Sequence, residues 1–271
     1  MQTALHLRKL FLAATVFAIA VAVLMYGQTP QVQAVEPLSS VASGDLFRGE
    51  SLPAVYYMGA DGFRYVFPDE NTYNTWYADF DDVKFISDSE LTKVQIGGNV
   101  TYRPGVLMIK VMSSPQTYAV SNNGVLRHVG SEAVATELYG DAWNTQIRDL
   151  ADGFFVNYTI GSDILDASTY SVSGEMTASS TIDSDKGLAA PAEMVATDSG
   201  FTPVDVTISP GQSVRFTNNG SSQHTATAED LTWGTGTMEP GGTFIRQFDE
   251  VGTYTFFDSY DSSNSGAIYV E

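Results

Sequence analysis

The chain has 271 residues, of which 43% are hydrophobic and 12% aromatic, and this is enough apolar material for one large or two ordinary globular domains. The 32 Asp and Glu residues outnumber the 13 Lys and Arg and give a formal charge of −19, which argues against nucleic-acid binding because such proteins neutralise phosphates with basic side chains. The absence of Cys from the sequence excludes disulfides, thiolate metal sites and cysteine nucleophiles.

The N-terminal segment up to Ala34 has the pattern of a secretory signal peptide. Arg8 and Lys9 precede an uncharged run over residues 10–26 that is apolar except for Thr15, and residues 32–34 (Val-Gln-Ala) suit signal peptidase. We predict cleavage after Ala34. The alternative is an uncleaved membrane anchor, since the apolar run is at the lower length limit for crossing the hydrocarbon. Both interpretations predict that the rest of the chain is secreted or lies at the cell surface.

Residues 44–163 are predicted to form two repeated α+β units. Seven identities recur at a constant offset of 62: Ser51 and Ser113, Pro53 and Pro115, Tyr56 and Tyr118, Gly62 and Gly124, Glu70 and Glu132, Tyr77 and Tyr139, Asp79 and Asp141. Each copy predicts a hairpin, then a helix capped by Asp69 or Ser131. A closing strand is expected at residues 100–102 and again at 156–158, where the offset falls to 56, and residues 100–110 are a candidate for a strand shared by the two units.

No catalytic constellation is apparent in these units. Asp79, Asp81 and Asp82 lack the Gly and Glu spacing of an EF-hand, so we interpret them as a solvated helix end. His128 has no second His or Ser nucleophile pattern beside it and is interpreted as structural. In their order of Tyr, turn, Asp-Gly and basic-aromatic residues, the units resemble repeats of exported cell-surface proteins of candidate-phyla ultra-small bacteria. This resemblance covers about 120 residues and is most evident over residues 53–77.

Residues 164–199 change in composition to Ser, Thr, Ala, Gly and Asp, with few aromatic residues. Such a segment has little apolar surface to bury, and it separates two regions of different periodicity. We predict a linker over 164–199.

Residues 200–271 alternate between apolar and polar side chains in short runs that are separated by turns such as Ser209-Pro210-Gly211. Strands at this spacing are typical of a β-sandwich. The fold class predicted for the whole chain is therefore mainly β with some α, with two hairpin-helix repeat units followed by a β-sandwich.

Almost all of this last region, from Phe201 to Val270, resembles the cupredoxin family. The matching residues are Phe201, Pro203, Gly211, Val214, Phe216, Asn218, His224, Thr225, Pro240, Gly241, Phe248, Gly252, Tyr254, Phe256, Gly266, Ile268 and Val270. The resemblance implies a Greek-key sandwich of the plastocyanin or azurin type. It also implies that the copper ligands His, Cys, His and Met of the family correspond here to His224, Asp258, Asp261 and Asn264.

Three of the four ligand positions therefore carry a different side chain, and type 1 copper is not expected because it depends on a Cu–thiolate bond. Our preferred interpretation is a degenerate domain that has abandoned the metal. In the alternative, His224, Asp258, Asp261 and Asn264 hold a divalent cation, either copper or calcium, although this set falls short of the six to eight oxygens that calcium takes. Met238, Trp233 and Tyr260 near this end are interpreted as packing residues.

Three classes of function remain open. The preferred one is an exported, non-catalytic cell-envelope protein, structural or adhesive, with envelope components or other surface proteins as partners, no cofactor, and membrane contact only through an uncleaved N-terminal segment. The second is a metal-binding cupredoxin-family protein in electron transfer or metal handling. The third is a hydrolase whose paired carboxylates no local pattern identifies.

Overall fold

The computed structural model describes residues 34–271, so the predicted signal peptide or anchor lies outside the described residues except for Ala34. None of the helices within 34–271 has the length and apolarity needed to cross a bilayer. The described chain is mainly β with some helices, and its strands form four sheets.

The first sheet lies in the first predicted unit. Its strands β1–β5 are Leu46–Arg48, Tyr56–Met58, Arg64–Val66, Lys84–Phe85 and Ile96–Asn99. They lie in the order β4-β1-β2-β3-β5, with β1, β2 and β3 antiparallel, β4 parallel to β1, and β5 parallel to β3. Two short helices, α1 (Glu70–Tyr73) and α2 (Asp88–Leu91), follow β3 and β4.

The second sheet has the same order and directions. Its strands β6–β10 are Met108–Val111, Thr117–Ser121, Val125–His128, Ile147–Leu150 and Thr159–Ile160. They lie in the order β9-β6-β7-β8-β10, with β9 parallel to β6 and β10 parallel to β8. Helix α3 (Glu132–Tyr139) follows β8 as α1 follows β3. Short 3-10 turns occur at Leu38–Ser40, Asn122–Gly124, Trp143–Gln146, Asp152–Asn157 and Ala167–Thr169.

Both predicted helix caps are confirmed. The Asp69 carboxylate accepts a hydrogen bond from the Thr72 amide at 2.7 Å, and the Ser131 hydroxyl accepts one from the Val134 amide at 3.3 Å. Each bond satisfies an amide that has no partner inside the first turn of a helix. Helix α1 ends at Tyr73, so the aromatic residues that follow it pack from turns; the Phe80 ring stacks on Tyr73 at 4.2 Å.

The prediction for the end of each unit is wrong in two respects. The closing strands are β5 and β10, so residues 100–102 follow a strand instead of forming one, and residues 156 and 157 lie in a 3-10 turn. The residue equivalent to Val100 is Ile164. The Val100 amide donates to the Val66 carbonyl at 2.9 Å, and the Ile164 amide donates to the His128 carbonyl at 2.8 Å. The difference in residue number between equivalent positions of the two units therefore widens from 62 to 64 at the closing strand, whereas the sequence pattern predicts a fall to 56. In addition, no strand is shared over 100–110, since β5 ends at Asn99 and β6 begins a separate sheet at Met108.

The linker predicted over 164–199 is instead a folded segment. It contains helices α4 (Val172–Ala178) and α5 (Ile182–Lys186) and strand β11 (Ala192–Thr197). Ile182 is 1% exposed and belongs to the core of the first unit. Helix α5 also reaches the hairpin turns of both units, because Asp183 accepts from the Ala60 amide at 2.9 Å and Asp185 accepts from the Asn123 amide at 3.0 Å.

The C-terminal region is a sandwich of two four-stranded sheets, and it begins with β11 rather than at residue 200. Strands β12–β18 are Gly200–Thr202, Asp205–Ile208, Gln212–Asn218, Thr227–Ala228, Thr243–Phe248, Gly252–Phe257 and Ser265–Val270. The sheets have the orders β12-β11-β14-β16 and β13-β18-β17-β15. Their alternating apolar residues form one core, in which the rings of Phe201 and Phe216 meet Phe256 edge to face.

The first unit packs directly against this sandwich. The Gln95 side-chain amide donates to the Ile245 carbonyl at 2.9 Å and accepts from the Ile245 amide at 2.7 Å, as a neighbouring strand would. The Ser213 hydroxyl donates to the Asp61 carbonyl at 3.1 Å. Ile245 itself is buried with the apolar residues of the first unit.

Candidate functional site

The candidate site lies at one end of the sandwich, where the segment after β14 meets the turn after β17. Asn218, the last residue of β14, fixes this segment, because its side-chain amide donates to the carbonyls of Ser222 at 2.8 Å and Met238 at 2.7 Å. His224 then forms an isolated antiparallel bridge with Met238. These bonds hold the His224 ring in the interior, where it is 5% exposed.

His224 and Asp258 are in direct contact. His224 Nδ1 lies 2.7 Å from Asp258 Oδ2, and the Asp258 side chain is 1% exposed. The other oxygen, Oδ1, accepts hydrogen bonds from the Thr225 amide at 3.0 Å, the Thr225 hydroxyl at 3.3 Å and the Tyr260 amide at 3.0 Å. A carboxylate offers about four acceptor positions, so the Asp258 carboxylate is fully occupied by protein donors.

A third residue completes the site and was not predicted from the sequence. Asp198 Oδ1 lies 3.3 Å from His224 Nε2, on the opposite side of the ring from Asp258. Asp198 occupies the turn between β11 and β12, and the amides of Ser221 and Ser222 donate to its carboxylate at 3.0 to 3.2 Å. The Asp-Ser-Gly turn at residues 198–200 was the available signal, but the predicted linker included its first two residues.

The pKa of His224 depends on the two aspartates beside it. Burial alone would lower the pKa of His224, but the hydrogen bonds to Asp258 and Asp198 and their negative charges raise it above its usual value. The amides and hydroxyls of Ser221 and Ser222 hold the pKa of Asp198 well below its usual range. The arrangement therefore favours a protonated imidazole between two carboxylates.

Asp261 and Asn264, the other two predicted ligands, serve the turn itself. The Asp261 carboxylate is exposed and accepts from the amide and the hydroxyl of Ser263 at 3.1 and 2.6 Å, which lowers its pKa. The Asn264 carbonyl accepts from the Asp258 amide at 2.9 Å. The structure thus brings His224 and Asp258 together, whereas it uses Asp261 and Asn264 to close the loop that presents Asp258.

The residues present do not fit type 1 copper, which requires a thiolate that this chain lacks. They also fit a hard cation poorly, because the four acceptor positions of Asp258 and both nitrogens of His224 already face protein partners. Within residues 34–271, no group of three or more His, Cys, Asp or Glu side chains is arranged to hold a metal ion.

The neighbouring residues pack as expected in two of three cases. Met238 and Trp233 belong to the sandwich core. Tyr260 is exposed, and its hydroxyl lies 2.9 Å from the Thr237 hydroxyl. In the units that precede the sandwich, His128 Nδ1 lies 3.6 Å from Asp163 Oδ2.

No protein-family model and no curated protein matches this chain. Among solved structures, it is similar to a purple cupredoxin from Nitrosopumilus maritimus at 20% identity over 30% of this chain and 99% of that one, with a TM-score of 0.28. A copper-containing nitrite reductase from Thermus scotoductus SA-01 matches at 21% identity over 31% of this chain and 23% of that one, with a TM-score of 0.29. A Cu(I) form of an amicyanin mutant matches at 17% identity over 30% of this chain and 82% of that one, with a TM-score of 0.28. The chain thus has a distant cupredoxin-like similarity over about 30% of its length.

Proposed function

We propose that this chain is an exported, non-catalytic protein of the cell envelope, structural or adhesive, whose sandwich is a degenerate cupredoxin-like domain that has lost type 1 copper. One observation carries the proposal. The carboxylate that stands where the resemblance implies the copper thiolate, Asp258, is bonded at 2.7 Å to His224, the single copper-ligand residue that this chain retains.

A shared proton therefore takes the place of a metal between these two residues. A copper ligand must offer an unprotonated nitrogen, whereas the raised pKa of His224 favours the protonated ring. A charged hydrogen bond of this kind joins the two loops at the end of the sandwich and stabilises the fold. The site supports a structural role better than electron transfer.

The two preceding sheets support a modular role. Their identical strand order and directions are those expected of an internal repeat, with the residue offset of 62 kept from β1 and β6 through the helices α1 and α3. The formal charge of −19 and the signal-like N-terminus support export to an envelope surface. Envelope components or other surface proteins are the proposed partners.

Metal analysis tests the loss of copper. The purified full-length chain is equilibrated with Cu²⁺ or Ca²⁺, freed of loose ions, and measured by elemental analysis and absorption spectroscopy beside His224→Ala. We expect no stoichiometric metal and no difference between the two proteins. One equivalent of copper or calcium that His224→Ala loses would instead favour metal handling, and a blue absorption band would favour electron transfer.

Cell fractionation tests the envelope role. A tagged full-length chain should appear at the cell surface or in the medium, and a variant with charged residues within the apolar run 10–26 should remain inside. Recovery of the unaltered chain in the cytoplasm would contradict the proposal. Hydrolysis of an envelope polymer by the purified chain would contradict the proposal that the protein is non-catalytic.

A further inference from the structure

Each of the two sheet units carries a groove beside the first turn of its helix. The groove of the first unit, here the Glu70 groove, is about 650 Å³ and is lined by Pro53, Phe67, Glu70 and Phe80 among others. The groove of the second unit, here the Glu132 groove, is about 160 Å³ and is lined by Pro115, Val129, Glu132 and Trp143 among others.

The two grooves occupy equivalent places. Seven lining positions of the Glu70 groove recur in the Glu132 groove at an offset of 62, including Pro53 with Pro115 and Glu70 with Glu132. Each groove also has one aromatic residue from the segment after the helix, Phe80 or Trp143. Because most of the other lining side chains differ between the units, the recurrence of Pro, Glu and an aromatic residue points to a shared ligand chemistry.

The walls of the Glu70 groove are apolar along most of their length. They consist mainly of Pro, Val, Phe and Tyr side chains, and Phe80 is 46% exposed. The charged groups lie together at the start of the helix, where Asp69 is already engaged as the cap. Glu70 and Glu132 are both exposed, and within residues 34–271 neither side chain has a hydrogen bond or an ion pair. Each groove thus pairs an apolar wall with one free carboxylate.

This combination fits a long side chain with an apolar stem and a cationic head, which is the structure of Lys and Arg. The 160 Å³ of the Glu132 groove equals about five water volumes, enough for one such side chain. The exposed Phe80 ring adds a surface that favours a cation. A sugar fits less well, since its hydroxyls need polar partners on several sides and these walls offer them at one end.

Charge favours the same partner. The chain carries −19 overall, and neither groove is lined by Lys or Arg, so a basic segment is attracted from a distance and meets no cation on arrival. We propose that the Glu70 and Glu132 grooves are equivalent docking sites for basic, extended segments of a partner protein, one Lys or Arg side chain in each groove. This binding is a property of the purified chain and does not depend on its export or on the His224 site.

The test is fluorescence anisotropy of a labelled peptide of alternating Lys and Pro residues, titrated with the full-length chain at low salt. We expect Glu70→Gln to weaken binding about fivefold and Glu132→Gln about twofold, the smaller effect because that groove holds less of the side chain. Glu137→Gln on α3 is the matched control, since Glu137 is exposed and lines neither groove. It makes the same charge change and should leave the affinity unaltered.

Two further arms separate specific docking from general attraction. Phe80→Ala should weaken binding of the Lys peptide as Glu70→Gln does, and circular dichroism checks that the variant is folded. The same peptide with Gln in place of Lys should not bind. The proposal is overturned if Glu137→Gln weakens binding as much as Glu70→Gln, if the Gln peptide binds equally well, if the Lys peptide does not bind, or if neutral oligosaccharides bind and are lost in Glu70→Gln.

Discussion

Asp258 at the end of the sandwich and Asp185 on helix α5 are equally buried, each 1% exposed, yet they are stabilised in different ways. Asp258 faces the imidazole of His224 at 2.7 Å. Asp185 instead accepts from uncharged groups, the Asn123 amide at 3.0 Å and the Ser179 hydroxyl at 3.1 Å. Burial raises the pKa of Asp185, and these hydrogen bonds offset only part of the rise.

The bonding partner, rather than the depth of burial, thus decides what a buried carboxylate contributes to the fold. Where the His224 imidazole is in contact, its hydrogen bond to the carboxylate ties two loops together. Where only amides and hydroxyls are in contact, the carboxylate satisfies a hairpin turn but remains costly to ionise.

The largest effect is expected from Asp258→Ala. It leaves the Thr225 and Tyr260 amides and the His224 ring without their acceptor, and the loss of one partner of a buried pair costs about 3–5 kcal/mol. Urea denaturation measures this as a fall in the free energy of unfolding. The control is Asp261→Ala, whose exposed carboxylate should cost less than about 1 kcal/mol. Equal losses in the two variants would contradict the role assigned to the His224 contact.

Asp185→Asn should cost less, about 1–2 kcal/mol, because the Asn123 amide and the Ser179 hydroxyl both donate to Oδ1, and an amide oxygen in its place keeps both hydrogen bonds in a weaker, neutral form. Denaturation under the same conditions gives the value. Asp183→Asn on the same helix is the matched variant, since the Asp183 carboxylate accepts a hydrogen bond from the Ala60 amide in the equivalent turn of the first unit. A loss for Asp185→Asn as large as that for Asp258→Ala would remove the distinction between the two regions.

The pH dependence of stability should have the same sign at the two residues but fall in different pH ranges, because the folded-state pKa is raised at both. The folded-state pKa of His224 is raised, so its contribution is fully present below the unfolded value of about 6.5 and is lost as pH rises through the folded pKa. The folded-state pKa of Asp185 is raised by burial, so stability again falls as pH rises, here above the unfolded value of about 3.9, because the buried carboxyl group then ionises at a cost.

Denaturation of the native chain and His224→Gln between about pH 5.5 and 8.5 isolates the histidine, since this range spans its usual pKa. The stability difference between the two proteins should shrink as pH rises. A difference that is constant or grows with pH would mean that the imidazole is not protonated between its two carboxylates.

The smallest effects are expected at the helix caps of the two sheet units. Asp69→Ala and Ser131→Ala should each cost about 1 kcal/mol, with the larger loss at Asp69 because its hydrogen bond is shorter, 2.7 Å against 3.3 Å. Ser131→Thr keeps the hydroxyl and should change little. Thermal unfolding measures the stability of all three variants. An equal loss of stability in Ser131→Thr and Ser131→Ala would exclude capping as the cause.

The helix caps were read correctly from the sequence, whereas the extent of the first helix and features that depend on distant contacts were not. Asp79, Asp81 and Asp82 are exposed as predicted, but they lie in the irregular segment beyond Tyr73 rather than at a helix end. The caps Asp69 and Ser131 could be predicted because a cap and its amide are three residues apart. The closing strand was misplaced because the Val-x-Tyr pattern at 156–158 imitates that at 100–102. The bond that defines the true equivalent, from Ile164 to His128, joins residues far apart in the chain.

The candidate site was predicted in part for the same reason. A family pattern of known spacing led to His224 and Asp258, which are in contact. Asp198 lies 26 residues before His224 in a segment of linker-like composition, and no spacing rule relates the two. Composition also concealed the buried role of Asp185, because a polar segment resembles a spacer until the amides that its carboxylates bind are known.

Strand β11 lies inside its sheet, between β12 and β14, and pairs in parallel with β14 from Ala192 to Ala196. The segment that looks like a tether is therefore the first structural member of the sandwich. A gene fragment that begins at residue 200 would encode a sheet with an open gap beside Val214 and Phe216. Any recombination event that transplants this sandwich into another surface protein must therefore carry the residues from about Ala190 onward.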